Sequence, residues 1–148
     1  MKNLFTAFLS MFIIACSTPE KNANSKIEIY DDSVLDIIDI YSEIEELADS
    51  ISLPEGPVWD EASQSLLFVD VMGNKLYKWN ENDGTSEYIS PSGNTGYAPN
   101  VDFGLLGANG LLIDENGDII LCQHGDRRLA KINNSSTNSP SFTTLVDN

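Results

Sequence analysis

One stretch of this chain is written twice. Glu55-Gly56-Pro57-Val58-Trp59-Asp60-Glu61-Ala62-Ser63 lies over Asn109-Gly110-Leu111-Leu112-Ile113-Asp114-Glu115-Asn116-Gly117 at an offset of 54. Both copies run on into an apolar strand, Leu66-Leu67-Phe68-Val69 against Ile119-Ile120-Leu121-Cys122, now at an offset of 53. Lys75-Leu76-Tyr77-Lys78-Trp79 then matches Arg128-Leu129-Ala130-Lys131-Ile132 at the same offset, and a fourth strand follows in each copy, over 86–89 and 142–146. The one-residue slip falls at a turn, where a deletion costs little.

Each copy is therefore about fifty residues of four short strands joined by turns rich in Asn, Asp and Gly. Four-stranded units repeated at this period are propeller blades, with boundaries at about 51–90 and 105–148. The alternating Lys75 to Trp79 pattern suits an outer strand with one wet face, and the unbroken apolar runs suit inner strands covered on both sides. A β-sandwich or small barrel is the competing reading, but neither explains a repeat that matches residue type position by position. Two blades cannot close a ring, since propellers have four or more. The expectation is an all-β chain holding the first two blades of an incomplete propeller, as a fragment or truncated frame. The alternative is a chain that completes its ring by oligomerising.

Eight Lys+Arg against 23 Asp+Glu give a formal charge of -15, which repels phosphate backbones and argues against a nucleic-acid partner. Most of those carboxylates are expected to be solvated surface. Residues 1–16 carry one positive charge at Lys2 and an apolar run to Ile14, too short to span a bilayer but suited to a secretory signal. The run ends in Ile13-Ile14-Ala15-Cys16, which resembles the bacterial lipobox. That resemblance implies lipidation of Cys16 after cleavage, hence a lipid-anchored protein of the cell envelope. With Ser17 and not Asp next, it points to the outer membrane, facing the periplasm. Residues 17–26 read as a flexible tether. Residues 27–50 form a lead-in segment, with Val34, Ile37, Ile38, Tyr41, Ile44 and Leu47 at helical spacing but Ile27-Glu28-Ile29 and Ile38-Asp39-Ile40 alternating as strands do; a short helix over 33–40 and a strand over 44–48 are expected. Cys122 sits in an apolar run and reads as a buried thiol, with a nucleophile beside His124 as the alternative. No nucleotide-binding Gly loop, zinc spacing or nucleophile elbow occurs.

Four motifs stand in order: Leu53-Pro54-Glu55-Gly56-Pro57-Val58-Trp59 with Leu67-Phe68-Val69-Asp70; Pro91-Ser92-Gly93-Asn94; Ala108-Asn109-Gly110-Leu111; and Leu121-Cys122-Gln123-His124-Gly125-Asp126-Arg127-Arg128-Leu129. Together they resemble the opening of the senescence marker protein/gluconolactonase (regucalcin-like) family, in its bacterial gluconolactonase branch. The segment 95–107 departs from the resemblance, being longer and richer in Gly. The resemblance implies a six-bladed propeller whose first strands line a central tunnel around a calcium ion, with Glu55 as a metal ligand. Hard cations take carboxylate and amide oxygens, which agrees. Asn109 holds the repeat position of Glu55; it binds substrate or water, ligates the ion, or simply makes an Asn-Gly turn. His124, the single histidine, either orients substrate and moves a proton or is a hydrogen-bonded structural residue. Arg127 and Arg128 are expected in ion pairs with Asp126 or Asp70 more than against an anionic sugar acid.

The implied reaction is calcium-dependent hydrolysis of a sugar lactone, with the catalytic base and remaining ligands in later blades. The 148-residue chain itself is expected to be inactive. A non-enzymatic, lipid-anchored propeller that binds a sugar or a partner protein is the alternative.

Overall fold

Residues 27–99, 106–135 and 139–147 are described by the structure, a computed structural model. The expected signal peptide (1–16) with its Cys16, the expected tether (17–26) and the middle of the long segment at 100–105 lie outside the described residues. The chain divides into two units after Glu45.

In the first unit, one turn of 3₁₀ helix spans Asp32–Asp36, opened by Asp31, whose carboxylate accepts from the Ser33 N–H at 2.9 Å. The expected helix over 33–40 is thus shorter and starts one residue earlier. None of its residues is buried, and Ile37 and Tyr41 are almost fully exposed. The helical spacing therefore has no surface to bury, and without burial a short helix gains little. The expected strand over 44–48 is absent as well. The Leu47 carbonyl is taken by the Thr85 hydroxyl at 2.8 Å instead of by a ladder N–H.

Among its described residues the second unit holds eight strands: β1 (Pro54–Asp60), β2 (Ser65–Asp70), β3 (Lys75–Asn80), β4 (Gly84–Ile89), β5 (Ala108–Ile113), β6 (Ile119–Gln123), β7 (Arg128–Asn134) and β8 (Ser141–Asp147). They form two four-stranded antiparallel sheets in sequential order, β1-β2-β3-β4 and β5-β6-β7-β8. The sequence repeat is a structural repeat down to register. Val58 faces Leu67 as Leu112 faces Ile120, and Val69 faces Leu76 as Cys122 faces Leu129. Even the irregularities coincide. Each first strand carries a bulge, between Glu55 and Val58 or between Ala108 and Gly110, and each fourth strand carries one at Tyr88 or Leu145, opposite the step after Leu76 or Leu129; β7 alone adds another between Ile132 and Asn134.

The sheets meet through β5, which lies against β1 and β2. Leu67, Val69, Leu76 and Ile89 from the first sheet and Ala108 and Leu121 from the second are essentially fully buried there. Burial of side chains this size contributes about 1.5–3 kcal/mol each, the main force holding sheet to sheet. Gly56 sets the closest approach. A methyl group built on it would come within 2.9 Å of Gly110 Cα and 3.1 Å of the Leu111 nitrogen.

Buried polar side chains fix how the chain enters each sheet. Asp70, at the end of β2, accepts backbone N–H groups from Ser52 (3.2 Å), Leu53 (3.1 Å) and Gly73 (3.0 Å). Burial pushes its carboxyl pKa up, but these donors and Met72 outweigh it and hold the group below the ordinary carboxylate value. Gln123, the repeat equivalent of Asp70, does the same work as a neutral amide, donating to the Ser92 carbonyl at 2.9 Å.

Candidate functional site

Glu55 opens β1 and Asn109 opens β5, each at the head of the strand that touches the other sheet. With a bulge between Glu55 and Val58 and another between Ala108 and Gly110, Gly56 lies against Gly110, so the backbones carrying the two side chains run in van der Waals contact. Both side chains are exposed, and neither makes a hydrogen bond or ion pair to another of the described residues. The Glu-Gly-Pro motif thus has a local reason: Gly56 has φ +56, which glycine adopts without strain, and no Cβ fits there.

Asn109 and His124 come together, in a hollow of about 390 Å³ shared with Cys122, Arg127 and Leu129. Glu55 does not share it. It rims a more apolar hollow of about 250 Å³ with Leu47, Pro57, Leu66 and Phe68. His124 begins the β6–β7 turn, its carbonyl accepting the Arg127 N–H at 3.1 Å, and its imidazole is exposed with no hydrogen bond among the described residues. Cys122, expected buried, is exposed. Its counterpart Val69 is fully buried by the second sheet, while the matching face of the second sheet has no cover.

Arg128 is the buried arginine of the pair, against Asp126 at 3.5 Å. Its guanidinium lies 3.9 Å from the Tyr97 ring, and its Nε donates to Gln123 at 2.5 Å. Asp126 also accepts from the Thr95 N–H (3.1 Å) and hydroxyl (2.5 Å). Asn74 takes the Gly93 and Asn94 N–H groups on its Oδ1, at 2.8 and 3.0 Å. The Pro91-Ser92-Gly93-Asn94 motif is thereby held from both sheets. Sequence reasoning missed Asn74 and Gln123 in this role, because partners some 20 to 30 residues apart leave no periodic signal.

The donor chemistry at Glu55 and Asn109 suits a hard cation, but two oxygen donors fall well short of the 6–8 that calcium takes. Among the described residues no group of three or more His, Cys, Asp or Glu could hold a metal ion.

Residues 53–148 match the family model described as SMP-30/Gluconolactonase/LRE-like region. The chain belongs to this family. A gluconolactonase of Zymomonas mobilis is 34% identical over 96 residues, which is 65% of this chain and 27% of that protein. Among solved structures, a structural-genomics target assigned as a gluconolactonase superposes with a TM-score of 0.54 at 25% identity, covering 70% of this chain and 30% of that one. A gluconolactonase from Xanthomonas campestris gives 0.52 at 22% identity, covering 68% and 28%, a likeness of fold. The chain spans less than a third of each of these relatives.

Proposed function

We propose that this chain is the N-terminal part of a calcium-dependent sugar-lactone hydrolase, with Glu55 as one metal ligand and Asn109 and His124 on the substrate side. The observation that carries this reading is the Gly56–Gly110 contact, which sets an unpartnered carboxylate and an unpartnered amide at the heads of two adjoining strands. The blade count of six, and the further donors that calcium needs, belong to the same proposal. Bound calcium would polarise the lactone carbonyl and stabilise the developing oxyanion. In this chain, Glu55 holds a negative charge at the cation, Asn109 donates or accepts a hydrogen bond, and His124 orients a sugar hydroxyl.

A site this sparse should hold Ca²⁺ no tighter than about 1 mM. At about 10 mM Ca²⁺ the gain in stability is then at most about 1.4 kcal/mol, a rise of a few degrees in Tm. Glu55→Gln should abolish that rise, and a response it leaves intact would remove Glu55 from the metal site. Because His124 is the single histidine, its imidazole proton resonances report alone. A sugar lactone with Ca²⁺ should shift them, and silence there would sink the substrate assignment. The 148-residue chain by itself should hydrolyse no lactone.

Lipidation of Cys16 and outer-membrane anchoring toward the periplasm complete the proposal, with the lipobox-like Ile13-Ile14-Ala15-Cys16 as support. Cys16→Ser should move the protein from the membrane to the soluble fraction on fractionation of a producing bacterium. Unchanged sedimentation with membranes would refute the anchor.

A further inference from the structure

The second sheet breaks the repeat at one turn position. The offset of 53 carries Asn74, between β2 and β3, onto Arg127, between β6 and β7, and both hold a left-handed backbone, at φ +55 and φ +52. Asparagine enters that region more readily than most residues. Asn74 is also put to local use there: its Oδ1 accepts the Gly93 and Asn94 N–H groups, and its Nδ2 donates to the Asn94 carbonyl at 3.1 Å. Arginine has neither advantage. A guanidinium carries five donors and no acceptor, so Arg127 cannot take backbone N–H groups as Asn74 does, whatever segment lies beside it. Its side chain is exposed and makes no hydrogen bond or ion pair among the described residues. Every other cation among them has a partner. Lys75 pairs with Glu87 at 2.7 Å, Lys131 with Asp118 at 2.9 Å and Arg128 with Asp126 at 3.5 Å, and Lys78 lies 5.9 Å from the Tyr88 ring. A strained backbone whose side chain does nothing for the turn points to a role outside it.

The turn itself locates that role. The Arg127 N–H closes it on the His124 carbonyl at 3.1 Å, and both side chains line the hollow that Asn109 also lines. Asp147, the carboxylate in that hollow, is taken by the Tyr97 hydroxyl and forms no ion pair with Arg127. We propose that Arg127 selects an anionic substrate here: a sugar lactone that carries a carboxylate or phosphate group, held by the guanidinium while Asn109 and His124 meet the sugar. This selection rests on the reading that puts Asn109 and His124 on the substrate side. The planar guanidinium pairs with either group through two parallel N–H bonds. A chain of charge -15 repels anions at large. Any preference for one at this hollow therefore needs a local cation, and Arg127 is the unpaired one there.

The test follows the His124 imidazole resonances of the full 148-residue chain carrying Cys16→Ser while glucose, glucuronate and glucose 6-phosphate are titrated in the absence of Ca²⁺. All three should shift the resonances, the two anions at concentrations about fivefold lower than glucose, as one exposed ion pair supplies. Whichever anion acts at the lower concentration names the group the site takes. Arg127→Asn should erase the preference, and Arg127→Lys, a cation without the planar fork, should fall between. Because asparagine suits the left-handed turn, the Tm of Arg127→Asn should match or exceed the parent's. A lower Tm would make Arg127 a support of the fold and overturn the proposal. Anions that shift His124 no sooner than glucose would also overturn it, while leaving the sugar-binding reading in place. If no sugar moves His124, that reading falls and the charge selection falls with it.

Discussion

Asp126→Ala is expected to lower stability by about 3–5 kcal/mol, the range for removing one partner of a buried ion pair. Native chains of this size hold about 5–15 kcal/mol in all, so the loss removes a large part of the fold's margin. The geometry explains the size. Asp126 is 1% exposed and Arg128 9% exposed, so the guanidinium stays out of water when its carboxylate goes. Arg128 cannot swing to solvent easily, lying 3.9 Å from the Tyr97 ring and 5.7 Å from Phe142, with its Nη1 donating to Thr144 at 2.9 Å. The same substitution strands the Thr95 N–H and hydroxyl, which lose the acceptor that ties the linking segment to the second sheet. Urea unfolding should show the midpoint falling sharply at nearly constant slope. Asp126→Ala combined with Arg128→Met should recover part of the loss, because no unpaired charge then remains buried. A single variant that unfolds at the parent's midpoint would mean the pair contributes nothing.

That network was the part of the fold least legible in the sequence. Asp126 and Arg128 stand two residues apart and read as an ion pair, but Thr95, Asn74 and Gln123 reach across the chain and follow no period. The repeat was legible because each strand pairs with its sequence neighbour, so strand order follows chain order. Its matched offsets reappear in the structure as matched registers. The lead-in misled for a physical reason. Helical spacing of Val34, Ile37 and Tyr41 is evidence of a helix only where one face is buried, and here none is. Cys122 misled similarly, since an apolar run announces a face meant for cover without saying whether cover is present. At the site, the paired positions of Glu55 and Asn109 followed from the offset of 54. Their separation into two hollows did not, because it depends on which side of each sheet is open.

Gly56→Ala is expected to cost about 2–5 kcal/mol, from two sources that controls can separate. One is backbone strain: φ +56 at Gly56 is left-handed, and an alanine there costs about 1–2 kcal/mol. Gly84 isolates that term, having φ +68 with nothing within 4 Å of a built Cβ, so Gly84→Ala should lose only the strain. The other source is steric. The new methyl would sit 2.9 Å from Gly110 Cα, 3.1 Å from the Leu111 nitrogen and 3.2 Å from the Asn109 carbonyl, all backbone atoms that cannot rotate away. Forcing volume into such a contact costs about 1–3 kcal/mol more. Gly110→Ala, on the other side, meets only the Cys122 sulfur at 3.8 Å and should be tolerated. The contact is therefore intolerant from the β1 side alone, and β1 is the strand that carries Glu55. Relief of the clash must part β1 from β5, so Gly56→Ala should also abolish the calcium response assigned to Glu55, whereas Gly84→Ala should keep it. Equal losses of stability in the two variants would show that the strands have room to spare, and the close approach that sets Glu55 beside Asn109 would lose its basis.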